Sequence, residues 1–327
     1  MSRIHTRTLF WIGLTLVLIL TSFFSVVSHA QNLGYEGPTG IFVTPIASVA
    51  PSEGKGFGRP AVAYHFLNGG DVIGNYSTIS ITEGAFRRIE FGYTGELQKQ
   101  GYDTTNAVNL APLWTGPMHI VHGKANLISE NAWGTKWVPA ISIGAIGRFD
   151  DNNVGNGTNS LLLHRVLGIT SGRQTTTNAD VYLVGTKIVT QFIPKVPVLL
   201  SAGVRGTNAS LWGLGGNAPD FTARGFGAVG FVFTGPSKST IILASEVSQQ
   251  PRRIAVTLDD GQKVGIFDVP TSMVYAVRVL PFHQYKFNAD FGVLQAAGHI
   301  GASPTLPNLP VNLNARARFA LGVSYAF

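Results

Sequence analysis

The chain ends with the sequence ARFALGVSYAF, which runs from Ala317 to Phe327. Apolar side chains occupy every second position of this stretch: Phe319, Leu321, Val323, Tyr325 and Phe327. Residues two apart in a β-strand point to the same face, so this period predicts a strand with one apolar face. Most domains end in polar residues that fray. An apolar pattern that continues to the last residue predicts instead a final strand that is paired and covered by an apolar medium.

The same period of two extends over most of the chain and predicts an all-β fold. Hydrophobic residues make up 45% of the sequence and charged residues only 13%, and the sequence has no cysteine, which excludes disulfides and thiolate metal sites. The predicted strands exceed the ~5–6 residues of ordinary globular strands and suit the ~9–11 residues of a tilted membrane-spanning strand. We predict twelve strands, at residues 56–67, 75–83, 86–97, 117–129, 137–149, 180–191, 196–207, 223–234, 239–249, 271–280, 284–297 and 314–327.

The connections between these strands alternate in length. Short ones fall at 84–85, 130–136, 192–195, 235–238 and 281–283, and long ones at 98–116, 150–179, 208–222, 250–270 and 298–313. Transmembrane barrels have short periplasmic turns and long outer loops, whereas sandwiches and propellers have no reason to alternate in this way. The sequence DDG at Asp259–Gly261 predicts one further hairpin, placed above the membrane. The alternative is that its flanks also span, which raises the number of strands to fourteen.

The two faces of the predicted strands differ in chemistry. In YKFNADFGV, one face carries Tyr285, Phe287, Ala289, Phe291 and Val293, and the other carries Lys286, Asn288, Asp290 and Gly292. Aromatic residues lie near strand ends, as in the belts of lipid-facing surfaces: Trp137, Phe149, Tyr285, Tyr325 and Phe327. This division predicts lipid outside and polar groups inside. A soluble exported β-sandwich or propeller is the alternative.

The C-terminal pattern resembles the assembly signal of bacterial outer-membrane β-barrel proteins, with aromatic Tyr325 third from the end and Phe327 as the last residue. The resemblance implies an antiparallel up-and-down transmembrane barrel of about twelve strands in the bacterial outer membrane. It also implies insertion by the barrel-assembly machinery, which reads Tyr325 and Phe327, and contact with outer-membrane lipid and lipopolysaccharide. The oligomeric state stays open.

The first thirty residues predict export of the chain. Arg3 and Arg7 precede a long apolar run, and Ser28-His29-Ala30 supplies the small residues that a signal peptidase reads. Residues 1–30 are therefore predicted to be a cleaved signal peptide that precedes a mature chain with no second apolar run of this kind. An uncleaved membrane anchor is the alternative.

Residues 31–55 form a separate N-terminal segment ahead of the barrel, residues 56–327. The segment is rich in Gly, Pro and Ser, and its core TGIFVTP at Thr39–Pro45 resembles a segment found in uncharacterised exported barrels, some of them associated with exopolysaccharide secretion. Its core is too apolar for a free linker. We predict that it plugs the lumen or pairs at the periplasmic rim.

The alternation of residues along each predicted strand places most charged side chains on the inner face. This placement is physically reasonable, because an Arg or Lys on the lipid face costs about 2–4 kcal/mol at mid-bilayer. The predicted inner cations are Arg59, Arg88, Lys124, Arg148, Lys187, Arg205, Arg224, Arg278, Lys286, Arg316 and Arg318. The predicted inner acids are Glu90, Glu96, Glu246 and Asp290. This excess of cations predicts a lumen that attracts anions. Ion-pair ladders that fill a narrow barrel are the alternative.

The predicted function is a channel for passive passage of small anionic solutes through this lumen. The alternative is a non-conducting barrel, plugged by residues 31–55, that serves envelope assembly or surface-polysaccharide export. A third candidate is an outer-membrane hydrolase, but no serine lies in a nucleophile motif, and we expect no enzyme. The sequence predicts no metal or other cofactor and no nucleic-acid partner.

Overall fold

The structure, a computed structural model, describes residues 32–52, 56–69, 75–99, 117–150, 177–213, 216–257, 261–281, 287–296, 301–302 and 317–327. Its strands are β1 (Ala61–Asn68), β2 (Asn75–Ala85), β3 (Ile89–Lys99), β4 (Met118–Ile128), β5 (Ala140–Asp150), β6 (Asn178–Ile193), β7 (Val196–Ala209), β8 (Asn217–Thr234), β9 (Thr240–Ser248), β10 (Arg253–Thr257), β11 (Lys263–Asp268), β12 (Ser272–Leu280), β13 (Phe287–Ala296), β14 (Gly301–Ala302) and β15 (Arg318–Ala326). Short 3₁₀ turns lie at Ala132–Gly134, Ser210–Gly213 and Pro236–Lys238. Over the described ranges, no helix has the length and apolar character needed to cross a membrane.

Twelve of these strands form one closed antiparallel barrel, in the order β1-β15-β13-β12-β9-β8-β7-β6-β5-β4-β3-β2. The predicted twelve-strand up-and-down barrel is therefore confirmed. The hairpin of β10 and β11 pairs with β14 in a separate three-stranded sheet. The alternative of fourteen spanning strands is wrong, because this hairpin is not hydrogen-bonded into the barrel wall.

The first and last barrel strands close the wall. β1 and β15 pair from Ala61 opposite Ala326 to Leu67 opposite Ala320. Beyond the strand, the Phe327 N–H donates to the Pro60 carbonyl over 3.2 Å. A closed barrel has no free edge, so the C-terminal pattern continues to the last residue because that residue is still paired.

The outside of the barrel is apolar. Each of the twelve barrel strands carries at least one large exposed hydrophobic side chain, among them Phe291 and Phe319, which are 51% and 48% exposed. Tyr325 and Phe327 lie on this outer face with their rings edge to face, 5.2 Å between centroids. Apolar surface that continues all round a molecule is not stable in water, and it fits the hydrocarbon of a bilayer.

Residues 32–52, called the luminal segment from here on, lie inside the barrel. The segment forms hydrogen bonds to inward side chains of β2, β3, β4, β5, β6, β9 and β12. A chain that reaches strands round the whole wall at once has to lie within it. Its apolar side chains are buried, with Leu33, Tyr35 and Phe42 at 0%, 2% and 1% exposure. It leaves the lumen at the end with the short turns, where the Arg87 N–H donates to the Ser52 hydroxyl over 2.6 Å.

Candidate functional site

Glu246 of β9 holds the middle of the luminal segment. Its carboxylate accepts hydrogen bonds from three consecutive backbone N–H groups, those of Phe42, Val43 and Thr44, the last two over 3.0 and 2.8 Å. Glu246 is 1% exposed, and a carboxylate buried to this degree is stable only when donors surround it. Hydrogen bonds to an ionised group contribute about 1.5–3 kcal/mol each. The wall and the segment are therefore joined strongly at this point.

Glu90 of β3 and Lys124 of β4 form a second attachment. Their charged atoms are 3.1 Å apart, and both side chains are fully buried. Glu90 accepts from the N–H groups of Thr39 and Ala50 over 2.8 and 2.7 Å. Lys124 donates to the Thr39 carbonyl over 3.0 Å and to the Ile46 carbonyl over 3.2 Å. One ion pair in the wall thus binds both the donors and the acceptors of the segment backbone.

Arg278 of β12 and Asp290 of β13 form a third attachment on another side of the barrel. The guanidinium donates to both carboxylate oxygens over 2.6 and 2.8 Å. The same guanidinium donates to the carbonyls of Gly40 and Ile41 over 3.0 and 2.5 Å. Tyr35 of the segment completes the set by donating to Glu96 of β3 over 3.0 Å.

The luminal segment carries one acid of its own into the lumen, Glu36. Its carboxylate accepts from Arg148 Nε over 2.5 Å and from Arg148 Nη2 over 2.9 Å. Arg148 Nη2 also donates to Asp180 of β6 over 2.8 Å. Arg205 of β7 lies 3.7 Å from the same Asp180 carboxylate. Two carboxylates and two guanidinium groups thus form one network, in which the Arg148 side chain is fully buried.

The turn at Gly37 lies directly against the wall. Gly37 has a φ of +99°, and a Cβ there would lie 2.6 Å from Thr94 Oγ1 and 2.8 Å from His122 Cε1. The Thr82 hydroxyl donates to its carbonyl over 2.9 Å. Only glycine satisfies both the left-handed backbone and the missing space.

A turn between β7 and β8 enters the barrel from the opposite end. Trp212 is 3% exposed, and Leu211 packs against the cluster that contains Tyr35 and Phe42 of the luminal segment. Gly213 has a φ of +87°, and a Cβ there would clash with Arg148 Cδ. The segment is therefore covered from the outer side as well.

The structure places the predicted lumen residues in three groups. Inside the barrel are six of the predicted cations and all four predicted acids: Lys124, Arg148, Arg205, Arg224, Arg278, Arg318, Glu90, Glu96, Glu246 and Asp290. Lys286 and Arg316 lie outside the described residues. Arg59, Arg88 and Lys187 lie elsewhere, and for these three the predicted inward direction is wrong.

Arg59 and Arg88 lie at the short-turn end, where both are exposed. β1 begins at Ala61 rather than at residue 56, because Pro60 has no N–H for the ladder. The turn between β2 and β3 lies at residues 86–88 rather than 84–85, since Phe86 and Arg87 adopt φ values of 53° and 59°. Left-handed residues of this kind form tight hairpin turns. Arg88 belongs to that turn and donates to the carbonyls of Asn126 and Leu127 over 3.3 and 3.2 Å.

Lys187 lies on the outer side of β6. It is opposite Leu200, an exposed residue of β7, and its ammonium donates to Glu130 over 2.9 Å at the short-turn end. The inner residues of β6 are Asn178, Asp180, Tyr182, Val184 and Thr186, all buried. In the middle of the strand, Tyr182 and Val184 of the inner face are as apolar as Val181 and Leu183 of the outer face, so hydrophobicity there did not distinguish the two faces.

Sequence reasoning missed two acids of the lumen, Glu36 and Asp180. With them, the described residues inside the barrel comprise six cations and six carboxylates, so the predicted cation excess is not found in this part of the chain. Asp180 shares the parity of Tyr182 and could have been found once that face was known to be inward. Glu36 lies outside any strand pattern. Within the described ranges no three His, Asp or Glu side chains come close enough to hold a metal ion.

A closed antiparallel barrel with an apolar outside and a polar inside is the form in which β-strands cross the bacterial outer membrane. The chain is therefore an outer-membrane β-barrel protein with its N-terminal segment in the lumen.

No protein-family model matches the chain, and no curated protein matches it. Among solved structures it is similar to the KdgM porin, with 11% identity and a TM-score of 0.42 over 82% of this chain and 99% of that one. It is also similar to an outer-membrane channel from Pseudomonas putida F1, with 9% identity and a TM-score of 0.39 over 85% and 97% of the two chains. The β domain of the Bordetella autotransporter BrkA has 11% identity and a TM-score of 0.35 over 83% and 100%. At these scores the likenesses do not bear on what this chain does.

Proposed function

We propose that this protein is an outer-membrane channel for small solutes and that the luminal segment closes it in the state seen here. The observation that carries the proposal is the polar character of the wall. Its inward side chains include His65, Thr78, Ser80, Thr82, Thr94, Ser142, Thr186, Ser201, Thr207, Ser272, Asn288 and Ser324 besides the charged groups. A barrel that served only as an anchor could fill its interior with apolar side chains at no desolvation cost. A polar wall instead stays wetted when the segment leaves.

The attachments of the luminal segment support closure by that segment. They include many hydrogen bonds and an ion pair, beside four separate apolar clusters that the segment shares with the wall. Water competes for such bonds, so a polar attachment can be released into an aqueous lumen at lower cost than an apolar one. The chain connection at the short-turn end, near Ser52, makes the periplasm the side to which the segment withdraws.

A preference for anions is the finer part of the proposal. When the segment withdraws, Glu36 leaves with it, and the described wall keeps six cations against five carboxylates. Three of the cations, Arg148, Arg205 and Arg224, lie on β5, β7 and β8. Cations grouped on one side of a narrow water-filled lumen raise the local concentration of anions.

Planar-bilayer recordings of the full-length protein test this function. Glu246→Gln keeps the shape of the side chain but directs an amide NH₂ group at peptide donors. The loss of one charge-assisted bond, about 1.5–3 kcal/mol, corresponds to about a tenfold change in an equilibrium. We therefore expect open events to be at least about tenfold more frequent than in the wild type. The reversal potential in a salt gradient should indicate selectivity for anions. Glu130→Gln, at the short-turn end, is the matched control and should behave as the wild type does.

If the wild type, Glu246→Gln and Glu130→Gln show open events at the same frequency, this mechanism of opening is contradicted. If no variant that weakens the attachment of the segment conducts ions, the second candidate is favoured, a non-conducting barrel that serves envelope assembly or surface-polysaccharide export. The observation that favours this candidate is the buried ion pair that joins the wall to the segment, that of Arg148 and Glu36.

A further inference from the structure

We propose that Arg148, Arg205 and Arg224 form a carboxylate-binding site in the wall, which Glu36 occupies in this structure and which an external carboxylate takes over when the luminal segment leaves. This inference rests on the proposed function and adds the chemical class of the solute. Arg148 binds Glu36 through two parallel N–H···O bonds of 2.5 and 2.9 Å. Such a fork matches a planar carboxylate in both geometry and charge.

Arg205 and Arg224 extend this site along the wall. They are direct register partners on β7 and β8, and both point into the lumen. Arg205 is only 6% exposed, and it interacts electrostatically with both Glu36 and Arg148. Like charges directly opposite each other on neighbouring strands repel, and a nearby anion relieves this repulsion.

The donors of this site exceed the acceptors available to them. In the described part of the chain the Nε groups of Arg205 and Arg224 are buried and have no hydrogen-bond partner. Asp180 is the wall carboxylate that pairs with this cluster, through Arg148 and Arg205. The guanidinium groups of Arg148 and Arg205 thus share two carboxylates, and one of these belongs to the luminal segment. Withdrawal of Glu36 leaves the fork of Arg148 without a carboxylate on that side.

Chemical rescue of a Glu36→Ala variant tests the site. Small carboxylates fit the space that the truncated side chain leaves, so acetate should bind there and stabilise the folded barrel by mass action. We expect the temperature at which half of the protein loses its folded gel mobility to rise by about 3–5 °C as acetate replaces chloride at constant ionic strength. Acetamide, the neutral isostere, should produce no shift. Glucuronate in parallel shows whether the site also accepts a carboxylate carried on a sugar, and a shift with acetate alone restricts the ligand to small free carboxylates.

Two matched variants make the result specific. Glu130→Ala removes an acid at the short-turn end that pairs with Lys187, and acetate should leave its mobility transition unchanged. The double variant Glu36→Ala/Arg148→Met removes the fork, and acetate should have no effect on it. The proposal is overturned if acetate and acetamide act alike, or if Glu36→Ala and Glu130→Ala respond equally to acetate.

A second measurement covers the case in which Glu36→Ala does not fold. In an otherwise wild-type chain, Thr44→Cys provides a buried thiol in the luminal segment, since Thr44 is 3% exposed and the chain has no native cysteine. Acetate should compete with Glu36 and raise the rate of maleimide labelling severalfold, whereas acetamide should not; equal rates overturn the proposal. An acetate effect in a barrel that never conducts leaves the site standing and rejects the channel. Conductance without any acetate effect does the opposite.

Discussion

Two acids inside this barrel, Glu246 and Glu90, bind peptide groups of the luminal segment. Glu246 accepts from three backbone N–H groups of the luminal segment. Glu90 accepts from Lys124, from two such N–H groups and from the Thr39 hydroxyl. A carboxylate that is surrounded by donors is stable without a large excess of cations. At the scale of single residues, the charged wall therefore serves first as a template for the segment.

Gly37 provides a test of that template at one backbone position. Gly37→Ala introduces a Cβ only 2.6 Å from Thr94 Oγ1 at a φ of +99°, so the segment cannot keep its position. We expect a clear rise in open events in planar bilayers. Gly134→Ala is the control, since Gly134 also has a positive φ, +70°, but has nothing within 4 Å of a Cβ. A Gly134→Ala protein that opens as often as Gly37→Ala would show that backbone strain, not the contact with the wall, is responsible.

Two lysines with similar partners test the effect of burial. Lys124→Met leaves Glu90 without its cation in a fully buried pair, which should cost about 3–5 kcal/mol of the free energy of unfolding. Lys187→Met removes a pair whose side chains are 16% and 28% exposed, which should cost less than about 1 kcal/mol. Urea-induced unfolding of both variants in lipid vesicles measures the difference. Equal costs contradict the placement of Lys124 inside and Lys187 outside.

At the scale of elements, the hairpin of β10 and β11 is an addition to the barrel. It pairs within its own sheet and with β14, and none of its ladder bonds joins a barrel strand. Barrel closure depends on the pairs of β9 with β12 and of β1 with β15. The hairpin can therefore be altered in sequence or length while the barrel wall stays closed.

Replacement of residues 253–268 by a short Gly/Ser linker tests this independence. The shortened protein should still migrate as a folded barrel before boiling, because the linker connects β9 to β12 without altering their register. The measurement is gel mobility with and without heating. If the shortened chain migrates as an unfolded protein before heating, the hairpin is part of the wall after all.

At the scale of the whole molecule, the sequence predicts the strands well because one physical constraint acts on every strand. Each wall strand separates lipid from the lumen, so Phe291, Phe319 and Tyr325 must alternate with small or polar residues. β6 is the informative exception. Tyr182 and Val184 face inward there, where Tyr182 stacks edge to face on Phe226, 6.4 Å between centroids, and hydrophobicity gave no contrast between the faces.

The charge balance of the lumen could not be predicted from strand parity alone. Part of the balance depends on where a strand begins, as with Arg59 and Arg88, and part on acids that belong to no strand, as with Glu36. A segment that folds back into its own barrel brings charged and hydrogen-bonding groups into the lumen, and strand periodicity does not predict their positions. The bonds between Glu246 and residues 42–44 link positions about two hundred residues apart, which only the closed fold brings together.

The accessibility of the luminal segment is the most direct test of this account. Thr44 is buried and Ser48 is exposed within the same segment, and the absence of native cysteines makes single thiols unambiguous. In outer-membrane preparations treated with a membrane-impermeant maleimide, Thr44→Cys should react at least about tenfold more slowly than Ser48→Cys, and the two rates should become equal after unfolding. Equal rates in the folded protein would contradict a lumen filled by residues 32–52.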